Sequence, residues 1–448
     1  MPSTRPRTNP ETPLPQRQLL QRAVTLLRGG QLDQAEPLLV SILQRWPGYP
    51  DALHFLGVLE HIRGRSEEAV SLIRQAIVRL PGEAGPLNNL GNVLVETQRY
   101  DEAEQAYRDC LAFQPDQVDA LTNLATLLRK RRQHAEAEAL CRRAVKARPD
   151  FALAWYTLSL ALVEQGHIDE ALEAHSRGVA LAPKQLQARN AMPKALVHRG
   201  RLDDAARLYR AWLAIEPDNP VVRHHLAACV GGTVPERASD AYVEKTFDAF
   251  AATFDANLAA LDYRAPQLVT EMLQSLLAPP SRQYDVHDLG CGTGLCGPLV
   301  REWARELSGC DLSQGMLAQA QRRRVYDQLT HAELVAHLQD NPRRFDVLIC
   351  ADTLCYFGEL QDAMRAAAAA LRPGGRFVFT VEAWKSEGGE SYKLQPHGRY
   401  AHHRGYLRRV LSQAGLAELA LQEEQLRVEN GQPVAGWLIA AALPPAQA

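Results

Sequence analysis

Two patterns of apolar and polar residues divide the chain near residue 230. Before that point, prolines and small residues return at a fixed interval. After it, apolar runs typical of buried strands alternate with segments of helical periodicity. The fixed interval is 34 residues, and it is kept by Pro47, Pro81, Pro115, Pro149, Pro183 and Pro217 and by Ala35, Ala69, Ala103, Ala137, Ala171 and Ala205.

A 34-residue period is the signature of tetratricopeptide repeats, which are pairs of antiparallel helices stacked into a superhelix. Small residues such as Gly57 and Gly91 fit where two helices cross closely, and proline ends the second helix of a pair. A final helix over 218–230 is expected to cap the array, and a linker to follow over 231–240. Residues 1–13, rich in Pro, Thr and Arg, are expected to be a disordered tail. The six predicted repeats cover 14–47, 48–81, 82–115, 116–149, 150–183 and 184–217.

Arrays of this kind present a concave surface that commonly binds extended peptides. Asn89 and Asn123 are one period apart, so both are expected on the same face. Amide side chains at this spacing predict a binding site for the backbone of a peptide substrate. Alternatively, they are ordinary polar residues on a solvated face, and the sequence leaves this choice open.

Beyond the linker, strands and helices alternate, beginning with a strand over 284–289 and a helix over 295–307. Alternation of this kind builds a parallel sheet with helices on both faces. Ligands of such sheets bind beyond the carboxyl ends of the strands.

The chain ends in two strand-like runs, 417–428 and 434–443, joined by Asn430-Gly431. This dipeptide is a strong hairpin signal, so the last strand is expected to enter the sheet antiparallel to its neighbours. The predicted fold is an α-helical superhelix over 14–230 followed by an α/β domain, related to the Rossmann fold, over 241–448.

The first strand of this domain ends in Asp288 and is followed by a glycine turn. Gly290, Gly292 and Gly294 permit positive φ and bring backbone N–H groups close to a ligand. A carboxylate beside the turn would repel a pyrophosphate but attract a cationic amino acid head. The next strand ends in Asp311, at the position where α/β folds hydrogen-bond a ribose diol.

With a later strand ending in Asp352, these motifs resemble the class I S-adenosylmethionine-dependent methyltransferases. Tyr263-Arg-Ala-Pro266 resembles a segment of the predicted methyltransferases of bacteria that join a tetratricopeptide array to this enzyme. The resemblance implies a seven-stranded, mostly parallel sheet and the cofactor S-adenosyl-L-methionine. It also implies a lid over the cofactor pocket, on the helix carrying Phe247, Phe250 and Phe254. The implied cofactor-binding residues are Asp288, Gly290, Cys291, Gly292, Thr293, Gly294, Asp311, Leu312, Met316, Glu333, Leu334 and Asp352.

The resemblance also implies individual roles. Asp288 would hold the methionine ammonium group, and Asp311 would accept hydrogen bonds from both ribose hydroxyls. Glu333 stands where the family has an aspartate that contacts the adenine amino group. Asp352 would lie where the sulfonium meets the incoming nucleophile; alternatively, it caps a helix that begins at Thr353.

A candidate base follows the fifth strand, in a segment that resembles the family's Gly-Arg-Tyr-Ala-His motif. His402 is predicted to be the general base at the pocket mouth, because the ordinary pKa of histidine suits proton transfer near neutral pH. Arg399 and Tyr400 are predicted to bind an anionic or planar group of the substrate. Alternatively, the segment is a surface loop that happens to be rich in histidine.

The sequence therefore predicts a methyltransferase whose repeats recruit the substrate, a peptide or protein. Two alternatives remain open. In one, the enzyme methylates oxygen or nitrogen of a small molecule and the repeats serve assembly. In the other, the chain is a scaffold whose second domain binds the cofactor without turnover.

Composition narrows the possible partners. A net charge of −2 provides no global attraction to nucleic acid. The longest alanine run, Ala366–Ala370, is far too short to span a bilayer. The eight cysteines lack the spacing of a zinc site, so no metal is expected. They fit reduced thiols, which predicts a cytoplasmic protein.

Overall fold

The computed structural model describes residues 14–232, 234–385, 391–429 and 431–445. The tail predicted over 1–13 lies outside the described residues, as does Asn430 of the hairpin signal. The chain forms two compact units, one extending to Ala195 and the other beginning at Leu196. The predicted boundary near residue 231 is therefore not where these units divide.

The first unit is built from helices that pack in consecutive pairs. Its helices are α1 (Leu14–Arg28), α2 (Leu32–Arg45), α3 (Pro50–Ile62), α4 (Ser66–Arg79), α5 (Ala84–Glu96), α6 (Tyr100–Phe113), α7 (Val118–Lys130), α8 (His134–Ala147), α9 (Ala152–Gln165) and α10 (Ile168–Leu181), followed by α11 (Leu186–His198), within which the two units divide.

The 34-residue period has a direct packing cause. Repeated alanines such as Ala69 and Ala103 are fully buried between helices. A Cβ atom added to Gly57 would lie 2.7 Å from Cγ1 of Ile73, which is closer than real side chains approach. Helices of a pair therefore cross where only a small residue fits, and the predicted tetratricopeptide architecture is confirmed.

The second unit continues with helices and then a mixed sheet. Its elements are α12 (Leu202–Leu213), α13 (Pro220–Val230), α14 (Asp240–Phe250), α15 (Phe254–Ala259), α16 (Ala265–Leu276), β1 (Tyr284–Leu289), α17 (Gly297–Val300), β2 (Ala304–Asp311), α18 (Gln314–Arg323), β3 (Gln328–His331), α19 (Leu334–Gln339), β4 (Phe345–Cys350), a 3₁₀ turn (Leu354–Tyr356), α20 (Gln361–Ala370), β5 (Leu371–Trp384), β6 (Tyr392–Leu394), β7 (Tyr400–His403), α21 (Arg404–Gln413), β8 (Ala417–Glu429) and β9 (Gln432–Ala442).

Strands β3, β2, β1, β4 and β5 lie side by side in that order and run parallel. Strand β9 pairs antiparallel with β5 and with β8, as the terminal hairpin predicted. The predicted fold class is confirmed, but the described sheet has nine strands rather than seven. The additional β6–β7 hairpin exists because β5 extends to Trp384, so that its last residues also pair with β7.

Successive side chains of a strand point to opposite faces of the sheet, so the apolar core is divided between the two faces. Leu348 and Phe377 belong to one buried cluster, whereas Val347, Ile349 and Val378 belong to another. Helices therefore cover both faces, which leaves the carboxyl ends of the parallel strands as the open edge.

The helix predicted over 295–307 needs correction. The structure has a single helical turn, Gly297–Val300, and β2 already begins at Ala304. The earlier start follows from sheet pairing, because Ala304 and Glu306 are registered against Tyr284 and Asp285 of β1. Pairing with a neighbouring strand has overridden the local helical pattern.

Candidate active site

One cavity opens beyond the carboxyl ends of β1, β2 and β4, where the sheet topology favours a ligand site. Its lining includes most residues that the sequence assigned to cofactor binding: Asp288, Gly290, Cys291, Gly292, Thr293, Asp311, Leu312, Met316, Glu333, Leu334 and Asp352. Gly294 does not line it.

The glycine turn after β1 combines close packing with open space. Gly290 and Gly292 have positive φ values of 64° and 55°. A Cβ atom on Gly290 would lie 2.3 Å from the side chain of Thr353, so this glycine lets two loops touch. A Cβ atom on Gly292 would meet nothing within 4 Å, and this residue lines the cavity. The backbone at Gly292 is therefore accessible to a ligand.

Asp311 is held firmly at the end of β2. Its Oδ2 atom accepts a hydrogen bond of 2.9 Å from the Gly292 N–H, and its Oδ1 atom accepts one of 2.8 Å from the Ser313 N–H. Burial raises the pKa of this carboxyl, although the backbone N–H groups oppose the shift. Each carboxylate oxygen has a further lone pair, which allows Asp311 to accept from a diol as well.

Asp288 is buried at the end of β1, and its Oδ2 atom accepts a 2.7 Å hydrogen bond from the hydroxyl of Tyr326. Burial raises the pKa of Asp288 to about 7, despite that hydrogen bond. The nearby charge of Asp311 raises the pKa further. This carboxyl therefore changes charge near neutral pH, and a cationic ligand group would favour its ionised form.

Glu333 caps α19 and also borders the cavity. Its Oε2 atom accepts a 2.9 Å hydrogen bond from the Ala336 N–H, and its Oε1 atom lies 3.4 Å from a guanidinium nitrogen of Arg237. The backbone of Arg237 forms an isolated antiparallel β-bridge with Phe357, and Arg237 also lines the cavity. The region predicted to be a linker thus supplies part of the wall.

Helices α14 and α15 cover the cavity through two Phe-Asp pairs. Phe247 and Phe254 line the cavity, whereas Phe250 is exposed. Asp248 accepts a 2.5 Å hydrogen bond from the Ser313 hydroxyl and a 3.0 Å bond from the Gly315 N–H. The two helices therefore occupy the position of the predicted lid.

The second pair latches the lid to the glycine turn. Asp255 accepts hydrogen bonds of 2.5 Å from the Thr293 hydroxyl and from the Arg323 guanidinium. Each phenylalanine thus faces the ligand space while the following aspartate holds the cavity rim.

An ionic cluster forms another part of the cavity wall. Arg427 donates 2.7 Å to Oδ2 of Asp352 and 2.6 Å to Glu429, and it also contacts Glu382. Arg399 donates 2.5 Å to Glu382 and 2.6 Å to Glu429. Burial lowers the pKa of Arg399 and of Arg427, but the surrounding carboxylates raise both pKa values by more, so the net shift is upward. The two guanidinium groups therefore stay charged and neutralised.

The structure favours the cavity position over the capping position for Asp352. Its carboxylate bonds Arg427 across the sheet rather than the backbone of the following turn, and its backbone φ is +59°. The Asp352 N–H donates 2.9 Å to the Thr380 hydroxyl. These contacts fix the residue at the end of β4, within the cavity wall.

The prediction that His402 lies at the pocket mouth needs correction. His402 belongs to β7, is completely buried, and does not line the cavity. Its Nε2 atom lies 3.1 Å from the Gly358 carbonyl oxygen, and burial lowers its pKa to about 4. The reason is tertiary: pairing of β7 with β5 and β6 carries the segment into the sheet.

The same pairing separates the two residues predicted to bind substrate beside His402. Arg399 lines the cavity, whereas Tyr400 is buried away from it and donates 2.7 Å to the Pro235 carbonyl oxygen. Gly398, which precedes Arg399, accepts a hydrogen bond of 2.7 Å at its carbonyl oxygen from Nε2 of His224. Helix α13 thereby supports the loop that carries Arg399.

The two asparagines of the repeat array bond to other side chains. Asn123 donates 3.1 Å to Asn88 and 2.9 Å to Asn92, and Asn89 lies 2.8 Å from Nε2 of His54. Neither is fully buried, so a role in peptide binding stays a prediction. These contacts nevertheless use amide groups that a peptide would have to engage.

Several residues with clear roles in the cavity were missed at the sequence level: Arg237, Asp248, Asp255, Tyr326, Glu382, Arg427 and Glu429. Glu382 left a signal, because it interrupts the apolar run of β5. The acids after Phe247 and Phe254 left another, since they recur with the aromatic residues. No sequence pattern indicated a role for Arg427 or Tyr326, because their partners Asp352 and Asp288 lie at the ends of strands far away in the sequence.

Family models match both the repeat region and part of the second unit. A family model described as a methyltransferase domain matches residues 287–377. Models described as tetratricopeptide repeats match residues 20–84, 88–150 and 128–195.

Relatives with methyltransferase names cover parts of the second unit. Methyltransferase-like protein 27 of Homo sapiens is 32% identical over 137 residues, covering 30% of this chain and 54% of that protein. The ubiquinone biosynthesis O-methyltransferase of Azoarcus sp. is 35% identical over 103 residues, covering 21% and 43%. The chain spans about half or less of the length of the curated relatives it matches.

Among solved structures, a putative S-adenosylmethionine-dependent methyltransferase of Listeria monocytogenes is 21% identical. The match covers 40% of this chain and 98% of that chain, with a TM-score of 0.32. Within the described ranges, no helix has both the length and the apolar character needed to cross a membrane.

Proposed function

Because the chain joins tetratricopeptide repeats to a class I methyltransferase domain, we propose that it is an S-adenosyl-L-methionine-dependent methyltransferase. The observation that carries this proposal is the cavity at the strand ends. It combines an accessible glycine backbone at Gly292 with the two acids that such a cofactor requires, Asp288 and Asp311.

The chemistry of the cavity fits this cofactor. Asp311 retains lone pairs for a ribose diol, and the buried Asp288 suits a methionine ammonium group. Leu312, Met316 and Leu334 offer apolar surface for a base, with the carboxylate of Glu333 among them. When bound, S-adenosylmethionine would supply an electrophilic methyl group.

The chain contributes mainly positioning and exclusion of water. Phe247 and Phe254 of the lid line the cavity, and the latches at Asp248 and Asp255 hold them there. A dry, aromatic enclosure strengthens the interaction of a cation with the surrounding carboxylates. Preorganised walls also reduce the entropy cost of bringing two reactants together.

We test this proposal by calorimetric titration of the full chain with S-adenosylhomocysteine. Wild type should bind, and Asp311→Ala should weaken binding about a hundredfold, as expected for a lost pair of charge-assisted hydrogen bonds. Asp362→Ala is the matched control, because its side chain is 82% exposed on α20, and it should bind like wild type. Folded wild-type protein that does not bind would contradict the enzyme assignment.

We further propose that the repeat array recruits the methyl acceptor, and that this acceptor is a peptide or protein. Tetratricopeptide repeats commonly mediate interactions between proteins, which supports this role. The full chain is incubated with cell extract and a cofactor labelled in its methyl group. Label in acid-precipitated protein would support the proposal; label confined to the soluble fraction would instead favour a small-molecule acceptor.

A cytoplasmic location is part of the same proposal. All eight cysteines are unpaired and buried, which suits a reducing compartment. Fractionation of cells that express the full chain, followed by detection with an antibody, tests this assignment.

A further inference from the structure

We propose that the methyl acceptor presents an amine to the free Oδ1 atom of Asp352, and that carboxylates and phosphates are excluded from this position. This inference rests on the proposed function and specifies the substrate class of the same cavity. It follows from the charges of the wall, from one acceptor atom without a partner, and from two nearby hydroxyl groups.

Every arginine of the cavity wall is already matched with carboxylates. Arg427 is paired with Asp352 and Glu429, and Arg399 with Glu429. Arg237 lies 2.8 Å from Asp240 and 3.4 Å from Glu333. An incoming anion would have to displace one of these partners, at the cost of leaving a carboxylate unpaired.

Acids outnumber bases in the described lining of the cavity. It contains three arginines and no lysine or histidine, against five carboxylates: Asp288, Asp311, Glu333, Asp352 and Glu429. The buried Glu382 contacts both Arg399 and Arg427 from behind. The wall is therefore negative on balance, which attracts a cation and repels an anion in a low-dielectric site.

Asp352 has one carboxylate oxygen available. Arg427 holds Oδ2, and Thr380 holds the backbone N–H, so the residue is fixed. Among the described residues, the Oδ1 atom is buried and has no hydrogen-bond partner. Leaving such an atom without a partner costs free energy, which a ligand that donates a hydrogen bond would recover. Asp352 also has an unfavourable positive φ of 59°, a conformation typical of ligand-binding positions.

Tyr263 and Tyr356 line the same cavity. Burial raises the pKa of both phenols, so they remain neutral and can accept as well as donate. An ammonium group that enters this position has three N–H donors for three oxygen acceptors, whereas a hydroxyl group has one. Because an ammonium nitrogen has no lone pair, one of its protons first passes to Oδ1 of Asp352. The neutral amine would then form the N–C bond as the C–S bond of the cofactor breaks, with S-adenosylhomocysteine as the leaving group.

Aromatic rings add to the preference for a positive group. Phe247 and Phe254 line the cavity together with these two tyrosines, and the faces of such rings attract cations. The O-methyltransferase name of the Azoarcus relative therefore does not fix the acceptor atom in this chain. The charges of this wall favour nitrogen.

The experiment compares two ligands by calorimetry on the full chain at pH 7.5. One is S-adenosylhomocysteine, and the other is sinefungin, an analogue with an amine-bearing carbon in place of the methyl-bearing sulfur. Wild type should bind sinefungin about tenfold more tightly, because its amine stands where the transferred methyl group would be, next to the acceptor position at Oδ1 of Asp352. Asp352→Asn should reduce this preference to about twofold, and the matched exposed variant Asp362→Asn should retain it.

The ratio of the two affinities isolates the inference from other effects. Equal affinities in wild type, or a preference that Asp352→Asn leaves unchanged, would overturn it while S-adenosylhomocysteine binding upholds the proposed function. If folded wild-type protein binds neither S-adenosylhomocysteine nor sinefungin, the proposed function itself is contradicted. If Asp352→Asn lowers the melting temperature strongly, Tyr263→Phe replaces it, and the preference should then fall about threefold.

A second readout uses the labelled product of the extract experiment. An N-methyl group survives alkali and is recovered after acid hydrolysis as an N-methylated amine. Recovery of that amine supports the inference. Release of labelled methanol by alkali, as from a methyl ester, or recovery of a methyl ether overturns it.

Discussion

Burial raises the pKa of Asp288 to about 7, from an ordinary value of 3.8. The hydroxyl of Tyr326 opposes the shift by donating a hydrogen bond, and the charge of Asp311 increases it. A folded-state pKa above the unfolded value stabilises the protein when the carboxyl is protonated. That contribution is fully present below about pH 4 and is lost as the pH rises through about 7.

Ligand binding should show the opposite trend. A cationic ammonium group selects the ionised carboxylate, so affinity for S-adenosylhomocysteine should rise about tenfold per pH unit below pH 7 and level off above it. Calorimetric titrations between about pH 5.5 and 8.5 measure this. Asp288→Asn should bind more weakly and without this pH dependence, whereas Asp362→Asn should keep the profile. A flat profile in wild type would exclude an ionic contact at Asp288.

The two glycines of the turn give a second prediction. Gly290→Ala should destabilise the second unit, because the added Cβ atom would meet Thr353 at 2.3 Å. Gly292→Ala meets no atom within 4 Å, so it should cost only about 1–2 kcal/mol of backbone strain while weakening S-adenosylhomocysteine binding.

Denaturant unfolding and calorimetry on both variants separate the two effects. Full ligand affinity in a folded Gly292→Ala protein would contradict the assignment of Gly292 to the ligand surface.

Among the elements of the site, the lid helices are held against the cavity rim by hydrogen bonds of their aspartate side chains. Helices α14 and α15 present Phe247 and Phe254 to the cavity, and each following aspartate bonds a different rim. One rim is the glycine turn after β1, and the other is the start of α18. Closure is therefore coupled to the same loops that surround the proposed cofactor.

Removing either latch should loosen the lid without unfolding the unit. Asp248→Ala and Asp255→Ala should each weaken S-adenosylhomocysteine binding about fivefold, corresponding to about 1 kcal/mol for a partly exposed charged contact. Hydrogen exchange of α14 and α15 should be faster in both variants.

Glu244→Ala is the matched control, because Glu244 lies exposed on α14, the helix that carries Asp248. Unchanged exchange in both aspartate variants would mean that packing alone holds the lid.

At the scale of the whole molecule, the two compact units allow stability and ligand binding to be tested separately. The cavity residues belong to the second unit, whereas Gly91 belongs to the first. A Cβ atom on Gly91 would lie 2.4 Å from the buried ring of Tyr107.

Gly91→Ala should therefore destabilise the array. Overpacking costs typically about 1–3 kcal/mol, and the gain in helix propensity of about 1 kcal/mol offsets only part of it. Affinity for S-adenosylhomocysteine should stay at the wild-type value.

Gly85→Ala on the same helix is the matched control, because its Cβ atom would approach only His54, at 4.0 Å. That variant should be neutral or slightly more stable. Denaturant unfolding measures both, and equal stabilisation by the two substitutions would contradict the close crossing of α5 and α6.

Sequence patterns alone predict the repeat array, the class of sheet and the main acids that line the cavity. Helix pairing follows from a period that local packing enforces, as the burial of Ala69 and Ala103 illustrates. The proximity of Asp288 and Asp311 was also predictable, because residues at the carboxyl ends of adjacent parallel strands lie at the same edge of the sheet.

Contacts between distant strands become visible only in the folded protein. His402 is buried because β7 joins β5 and β6, and a four-residue segment does not reveal which strands will pair with it. Asp352 and Arg427 are 75 positions apart, and they meet because β9 places β8 beside the parallel sheet. Local periodicity encodes helices and strands, whereas the partners of a charged side chain depend on strand order, which no local pattern specifies.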